Sequence, residues 1–280
     1  MTKIKIVTDS TADLTDEQIL KYNIEVVPLT ITIDDHSYTD RVDISPEEFL
    51  EKMGQARELP KTSQPSAGAF VEVYDRFFEE GYEVISIHMT GGMSGTVRSA
   101  ESASQMAKGK VTVIDSRYIS KALSFQVIEA AELVEKGKSV AEIVEHLQHV
   151  QKQTRLYLMV DTLENLVKGG RIGKGKAFIG SLLNIKPIAS LEGGEYTPVA
   201  KVRSYSQVIK YLVKQFSEDI EGKTVIRVGI VHSKAPELVA TLKKAIMEIT
   251  NISNIDISYT TPVIATHTGV GTIALMYYFE

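Results

Sequence analysis

The sequence predicts an α/β protein with two domains. Over residues 1–154, short β-branched segments such as Ile4–Asp9 alternate with longer amphipathic segments. Parallel strands need a long return path, which helices supply, so this alternation predicts an N-terminal doubly wound parallel sheet. Over residues 155–280, two extended segments flank Glu192–Glu195, which is typical of a hairpin, so a C-terminal α/β domain with a mixed sheet is expected. A length of 280 residues agrees with two domains.

The element boundaries follow from capping residues and hydrophobic patterning. Ser45 before Pro46 is typical of a helix start, and the amphipathic segment from Ser66 is expected to stop at Gly81. The other predicted helices of the first half occupy residues 10–22, 91–106, 117–136 and 137–154, and the predicted strands are Ile4–Asp9, Glu25–Ile33, Glu83–Thr90 and Lys110–Ser116. In the second half we expect strands at Leu156–Thr162, Thr224–Val231, Ile255–Thr260 and Val263–His267, and helices at Tyr205–Ile220, Pro236–Ile249 and after Gly271.

Composition and charge exclude several classes of function. The 36 acidic and 31 basic residues give a net charge of −5, which argues against nonspecific binding to nucleic acid or to an anionic membrane. The chain has 0 cysteines, so disulfides, zinc–thiolate sites and cysteine nucleophiles are excluded. No apolar run reaches the ~18 residues that span a bilayer. The first apolar stretch ends at Asp9, too early for a signal peptide. We therefore expect a cytoplasmic protein without stable membrane insertion.

Two glycine-rich turns follow predicted strands and precede predicted helices. They are Gly91–Thr96 and Thr268–Gly271. In open α/β sheets, ligands bind beyond the carboxyl ends of the strands, and free amides at a helix start attract anions. Both turns are therefore candidate sites for a carboxylate or a phosphate. The hydroxyl cluster Lys61–Ser66 can serve either as turn and capping chemistry or as a further set of ligand donors.

Ser94 has three possible roles. An exposed serine at a strand–turn–helix junction suggests a nucleophile with His267 as its base, in an esterase or acyltransferase. However, Gly95 directly follows Ser94, so the G-x-S-x-G spacing fails, and no third triad member is evident. The other two readings are a tight turn capped by Ser94 and Thr96, and a site that binds an anion.

Three further patterns leave alternatives open. His88, His232 and His267 lie near predicted strand ends, but no helical histidine pair supports a metal site, and a structural role for His267 is equally open. The basic glycine loop Lys168–Lys176 lacks the P-loop spacing, and it is either a solvated loop or a contact for a phosphate, nucleotide or other anionic partner. Apolar residues at helical spacing then form either core or a ligand tunnel; they are Phe178, Ile179, Leu182, Leu183 and Ile185.

Five segments, taken together and in this order, resemble the DegV family over essentially the whole chain. The first is Thr8–Leu14, and the last is the tail His267–Gly271. Between them lie Thr62–Pro65, Ser94–Thr96 and Gly169–Ile172. Each segment alone is weakly specific, whereas five in order are specific.

The resemblance implies a bacterial fatty-acid-binding protein that holds a long-chain fatty acid, such as palmitate or oleate, between its two domains. It also implies presentation of the carboxylate to a separate fatty acid kinase, which forms an acyl phosphate, so the chain would act in lipid transport or fatty acid metabolism without its own catalytic nucleophile or cofactor. The implied ligand-binding residues are Thr62, Ser63, Ser94, Gly95, Thr96, His267, Thr268 and Gly269. The implied partner contacts are Arg171, Arg203 and Asp40. Roles for Lys168, Lys174 and Lys176 stay open.

The head-group chemistry of that reading is physically reasonable. A buried carboxylate without partners is costly, so hydroxyls from Thr62 and Ser94, with amides from the helix start after the glycine turn, are expected to bind it. A protonated His267 would compensate the charge. Hydroxyl donors would leave one carboxylate oxygen free to attack a phosphoryl group.

Overall fold

A four-stranded parallel sheet organises the first part of the chain, as the sequence predicts. The structure is a computed structural model that describes residues 3–178, 185–250, 252 and 254–280. The strand order of this sheet is β2-β1-β6-β7, and every neighbouring pair is parallel. Its strands are β1 (Lys3–Asp9), β2 (Glu25–Val27), β6 (Tyr82–His88) and β7 (Val111–Asp115).

A small antiparallel sheet follows in the same part of the chain, and it was not predicted. The predicted strand Glu25–Ile33 is divided by Pro28, which cannot donate a hydrogen bond to a neighbouring strand. The second piece joins a sheet of order β4-β3-β5. Its strands are β3 (Thr30–Ile33), β4 (His36–Thr39) and β5 (Lys61–Ser63). The strand β5 places Thr62 opposite Ile31, at the edge of the candidate site.

A six-stranded mixed sheet occupies the second part of the chain, as predicted. Its order is β10-β9-β8-β13-β11-β12, and only the pair β11–β12 is parallel. The predicted hairpin is confirmed, because β9 and β10 are antiparallel on either side of a short 3-10 turn at Glu192–Gly194. The strands are β8 (Thr154–Met159), β9 (Lys186–Ser190), β10 (Thr197–Val202), β11 (Val225–His232), β12 (Asp256–Tyr259) and β13 (Ile273–Phe279).

The C-terminal elements are the reverse of those expected. The predicted strand Val263–His267 lies in helix α10 (Pro262–Thr268), where Pro262 occupies the first turn and Gly269, at φ 77°, ends the helix. The segment after Gly271 is the strand β13, in which every residue is buried. A central strand that is apolar on both faces has no alternating pattern, so its sequence cannot be distinguished from that of a buried helix.

The helix α5 packs between the two large sheets. Most of its first twelve residues are buried, and it contacts β1 and β6 on one side and β11, β13 and β8 on the other. One continuous apolar core therefore includes Ile85 of the parallel sheet and Met276 of the mixed sheet. The helices are α1 (Asp16–Lys21), α2 (Pro46–Gln55), α3 (Ala67–Glu79), α4 (Thr96–Met106), α5 (Ser120–Glu135), α6 (Val140–Gln153), α7 (Glu164–Lys168), α8 (Tyr205–Asp219), α9 (Pro236–Ile249) and α10. Among the residues described, no helix has both the length and the hydropathy needed to cross a membrane.

Candidate functional site

A cavity of about 300 Å³ lies where the parallel sheet, the small sheet and the mixed sheet meet. Most of its wall is apolar, with contributions from Leu29, Met89, Ile119, Leu158 and Val263. These residues come from widely separated parts of the sequence, so periodicity alone could not identify them as one surface. The polar residues of the wall are Thr62, Ser63, Gln64, Ser94, Arg171, Tyr196, His267 and Thr268.

The structure brings Thr62 and His267 together in this wall. The Thr62 Oγ1 lies 2.9 Å from His267 Nε2, across 205 residues of sequence. Thr62 is held by the pairing of β5 with β3, and His267 by the last turn of α10. Because the neighbouring Ser63 and Gln64 are exposed and also line the cavity, this polar end lies close to solvent.

Ser94 lines the same cavity and also caps its own turn. Its Oγ lies 2.8 Å from Thr96 Oγ1 and accepts a hydrogen bond from the Thr96 amide at 3.2 Å. Among the described residues, Ser94 and His267 form no hydrogen bond with each other, since His267 Nε2 is paired with Thr62 and His267 Nδ1 has no partner. Ser94 thus caps its turn and lines the cavity.

The structure restricts one expected backbone anion site and corrects the other. The amides of Gly91, Gly92, Met93 and Ser94 all donate within the protein, to Asp115 or Thr90, so they are already paired. The amides at the start of α4 are a separate group, because that helix begins at Thr96 and its N-cap residue, Gly95, provides no side-chain cap. The second glycine turn, Thr268–Gly271, follows the C-terminus of α10 rather than preceding a helix, so it offers no helix-start amides.

The remaining predicted ligand-binding residues divide into two groups. Ser63 and Thr268 line the cavity. Gly95, Thr96 and Gly269 are not part of its wall, and they shape neighbouring segments instead. A Cβ at Gly95 would lie 2.2 Å from Gln64 Oε1, the end of an exposed side chain, which would have to move aside. The glycine thus lets Gln64 pass beside the start of α4.

The structure favours a neutral His267 over the protonated imidazole that the head-group chemistry would allow. Burial, with the positive charge of Arg171 as a second cause, lowers the pKa of His267 to about 4. If His267 Nε2 accepted from Thr62, an N–H would be left at the buried and unpartnered Nδ1. An orphaned donor is less favourable than an orphaned acceptor, so we assign the tautomer in which Nε2–H donates to Thr62 Oγ1. The Thr62 hydroxyl proton is then free for a ligand.

Arg171 is the cation of this site. Its Nε donates to the Met93 carbonyl at 3.1 Å, and its Nη1 donates to the Gly169 carbonyl at 2.6 Å. These bonds hold a partly buried guanidinium in the cavity wall, close enough to His267 to disfavour protonation of that ring.

The glycine before Arg171 explains part of the basic loop. A Cβ at Gly169 would lie 2.3 Å from His267 Nδ1, so only glycine leaves space for the ring. Gly170 adopts φ 73°, a backbone conformation that favours glycine whatever atoms surround it. Of the three lysines in this loop, Lys168 forms an ion pair with Glu164 at 2.6 Å, whereas Lys174 and Lys176 are exposed. Ile179, Leu182, Leu183 and the Phe178 side chain lie outside the described residues, so the core-or-tunnel alternative stays open there.

The predicted partner residues are placed differently. Arg203 is exposed at the end of β10. Asp40 is 1 % exposed and accepts a hydrogen bond from Ser10 Oγ at 2.6 Å. This burial corrects the expectation that Asp40 lies on a partner-facing surface. Burial also raises the pKa of its carboxyl to about 7.

The other two candidate histidines lie away from the cavity wall. His88 is fully buried, with Nδ1 3.1 Å from Asp9 Oδ2 and Nε2 2.7 Å from Ser86 Oγ. This serine–histidine–aspartate chain was not predicted, and its members are all 0 % exposed, which makes it a structural network. Nδ1 of His232 accepts from the Ala235 amide. Within the described part of the chain, no three metal-ligating side chains converge.

Comparison with known proteins places the chain in a family. The model of the DegV family matches residues 3–280. The chain belongs to the DegV family. A DegV domain-containing protein of Listeria innocua is 44% identical over 281 residues and is covered completely, as is this chain.

Two solved structures of DegV proteins are similar over nearly the full length. A fatty-acid-binding DegV protein from Thermus thermophilus has a TM-score of 0.95 and 34% identity, covering 99% of this chain and 100% of that one. DegV of Bacillus subtilis, a fatty-acid-binding protein, has a TM-score of 0.90 and 31% identity, covering 100% of both chains. The α/β architecture of this DegV protein is therefore shared with fatty-acid-binding relatives.

Proposed function

We propose that this DegV protein binds a long-chain fatty acid between an N-terminal domain of residues 1–154 and a C-terminal domain of residues 155–280. The observation that carries the proposal is one apolar cavity with the Thr62 and Ser94 hydroxyls in its wall. The fatty-acid binding of the Thermus and Bacillus relatives supports it.

The polar end of the cavity suits a carboxylate. The neutral His267 donates to Thr62, which orients the Thr62 hydroxyl proton toward the ligand. Ser94 supplies a second hydroxyl, since its oxygen can accept from Thr96 while its proton is donated elsewhere. Because His267 is neutral, the charge of the carboxylate is balanced by Arg171, whose guanidinium lies in the same wall. We therefore assign Arg171 to the lipid site as well as to the contact with the partner kinase.

The acyl chain supplies most of the affinity. Burying about fourteen methylenes of a sixteen-carbon acid is worth on the order of 11 kcal/mol, at ~0.8 kcal/mol for each methylene. Much of this is offset by the loss of ligand freedom on binding. The hydroxyls then orient the head group rather than provide the bulk of the free energy.

We further propose that the protein presents the carboxylate to a separate fatty acid kinase in the cytoplasm. The exposed Ser63 and Gln64 at the polar end support access to the head group from outside. Arg203, exposed directly after β10, is the proposed kinase contact. In this proposal the protein acts as carrier and co-substrate, and the acyl phosphate forms on the separate kinase.

Mass spectrometry of lipid from natively purified protein tests the binding proposal. We expect a co-purified long-chain fatty acid at close to one per chain, or uptake of added palmitate or oleate after delipidation. Protein that is persistently empty and takes up neither acid would contradict the proposal.

For the kinase step, Arg203→Ala should retain lipid while acyl-phosphate formation with an added fatty acid kinase falls at least tenfold. Unchanged acyl-phosphate formation would remove Arg203 from the contact.

A further inference from the structure

Within the part of the chain that the structure describes, the cavity wall contains one buried hydroxyl without a hydrogen-bond partner. Tyr196 is 1 % exposed and lines the cavity, and its Oη has no hydrogen-bond partner. Leaving a buried hydroxyl unpaired is unfavourable. Buried tyrosine hydroxyls usually find a partner, so the unpaired Tyr196 Oη points to a group that binds there.

The phenol is held in place by the loop that follows Arg171. The Lys174 amide donates to the Tyr196 carbonyl at 3.1 Å. A Cβ at Gly175 would lie 2.9 Å from Tyr196 Cε1, and a Cβ at Gly173 would lie 2.9 Å from the Tyr196 carbonyl oxygen. Two glycines therefore leave room for the ring and its backbone, and the side chain has a fixed position in the wall.

The backbone contacts place Tyr196 on the side of the cavity that holds the glycine turn of Ser94. The neighbouring Gly194 carbonyl accepts a hydrogen bond from Thr90 Oγ1 at 3.0 Å. A Cβ at Gly92 would lie 2.6 Å from that same carbonyl oxygen. The segment that carries Tyr196 is thus in direct contact with the segment that carries Ser94.

We propose that Tyr196 is a further ligand-binding residue, whose hydroxyl donates a hydrogen bond to an oxygen near the head of the bound acyl ligand. This inference rests on the proposed fatty-acid binding and adds a third hydroxyl to Thr62 and Ser94. The acceptor is either a carboxylate oxygen, which has lone pairs beyond those that two hydroxyls use, or an oxygen on the first carbons of the chain, as in a 3-hydroxy acid.

Tyr196→Phe tests this inference because it removes only the hydroxyl. Binding of palmitate and 3-hydroxypalmitate is measured by calorimetry on the delipidated full-length protein, together with thermal unfolding of the ligand-free protein. We expect Kd to rise about tenfold for at least one acid. The unfolding temperature without ligand should be equal or higher, since phenylalanine removes an unpaired polar group. The matched control is Tyr211→Phe, on α8 against Tyr157, which should change neither Kd.

The outcomes separate the two acceptors and the two proposals. Equal loss for both acids identifies the carboxylate as acceptor, and a loss confined to 3-hydroxypalmitate identifies the chain oxygen. Unchanged Kd for both acids overturns the role of Tyr196, as does a lower unfolding temperature of the ligand-free variant, which would reveal a structural partner. If the unmodified protein binds neither acid, the proposed function itself fails.

Discussion

At the scale of single residues, the Thr62 and Ser94 hydroxyls are expected to determine how the carboxylate is held. Removing one of them leaves part of a buried carboxylate unpaired, so Thr62→Val and Ser94→Ala should each weaken palmitate binding by about 1–3 kcal/mol. Calorimetry with delipidated protein measures this change. Ser104→Ala is the control, because Ser104 Oγ bonds only to its own helix at Glu101. Unchanged affinity in both site variants would refute the head-group assignment.

The protonation of His267 predicts a dependence of stability on pH. Its pKa is lowered in the folded protein to about 4, from 6.5 in the unfolded chain. Between these values the unfolded chain binds the proton and the folded protein does not, so the stability present above pH 6.5 is lost as pH falls toward 4. The contribution is at most about 3.5 kcal/mol, at ~1.4 kcal/mol for each unit of pKa.

Urea unfolding at several pH values between 4 and 8 measures this contribution. His267→Gln should flatten the dependence in that window, whereas His149→Gln, at an exposed position on α6, should leave it unchanged. Asp40 acts in the opposite direction, because its raised pKa of about 7 makes the folded protein the better proton binder there. The contribution of His267 is therefore taken from the difference in pH dependence between each variant and the unmodified protein. Equal slopes for His267→Gln and the unmodified protein would contradict a neutral buried imidazole.

At the scale of elements, the loop after α7 and the helix α10 are matched to each other through Gly169. A Cβ at this position would meet His267 Nδ1 at 2.3 Å, so Gly169→Ala should displace the imidazole and break its bond to Thr62. We expect at least a tenfold loss of palmitate affinity, by analogy with the loss of a hydrogen bond in a buried site.

Gly54→Ala is the control for that substitution. Gly54 lies in α2 with no atom near its missing Cβ, so alanine there should stabilise the protein by about 0.5–1 kcal/mol and leave binding unchanged. Should Gly169→Ala bind palmitate as tightly as the unmodified protein, the packing of this glycine against His267 would have no bearing on the ligand.

At the scale of the whole molecule, the sequence identified the two large sheets but not how they join. Strand–helix alternation is a local signal, and it correctly predicted the parallel sheet and the β9–β10 hairpin. The strand β13 was missed because a strand buried on both faces has no alternation. The pairing of Thr62 with His267 could not be derived from spacing, since it spans 205 residues, and the neutrality of His267 depends on burial that sequence does not report.

The continuous core predicts that the two proposed domains unfold together. The helix α5 contacts both large sheets, and one apolar cluster includes Ile85 and Met276, so exposing either sheet would expose part of the other's packing surface. We expect a single transition in urea when far-ultraviolet circular dichroism is compared with hydrogen exchange of β6 and β13. Palmitate at about 100 times its Kd should raise the free energy of unfolding by ~2.7 kcal/mol for both probes alike. Two separated transitions, or a ligand effect confined to one sheet, would show instead that residues 1–154 and 155–280 are independent units that only meet at the cavity.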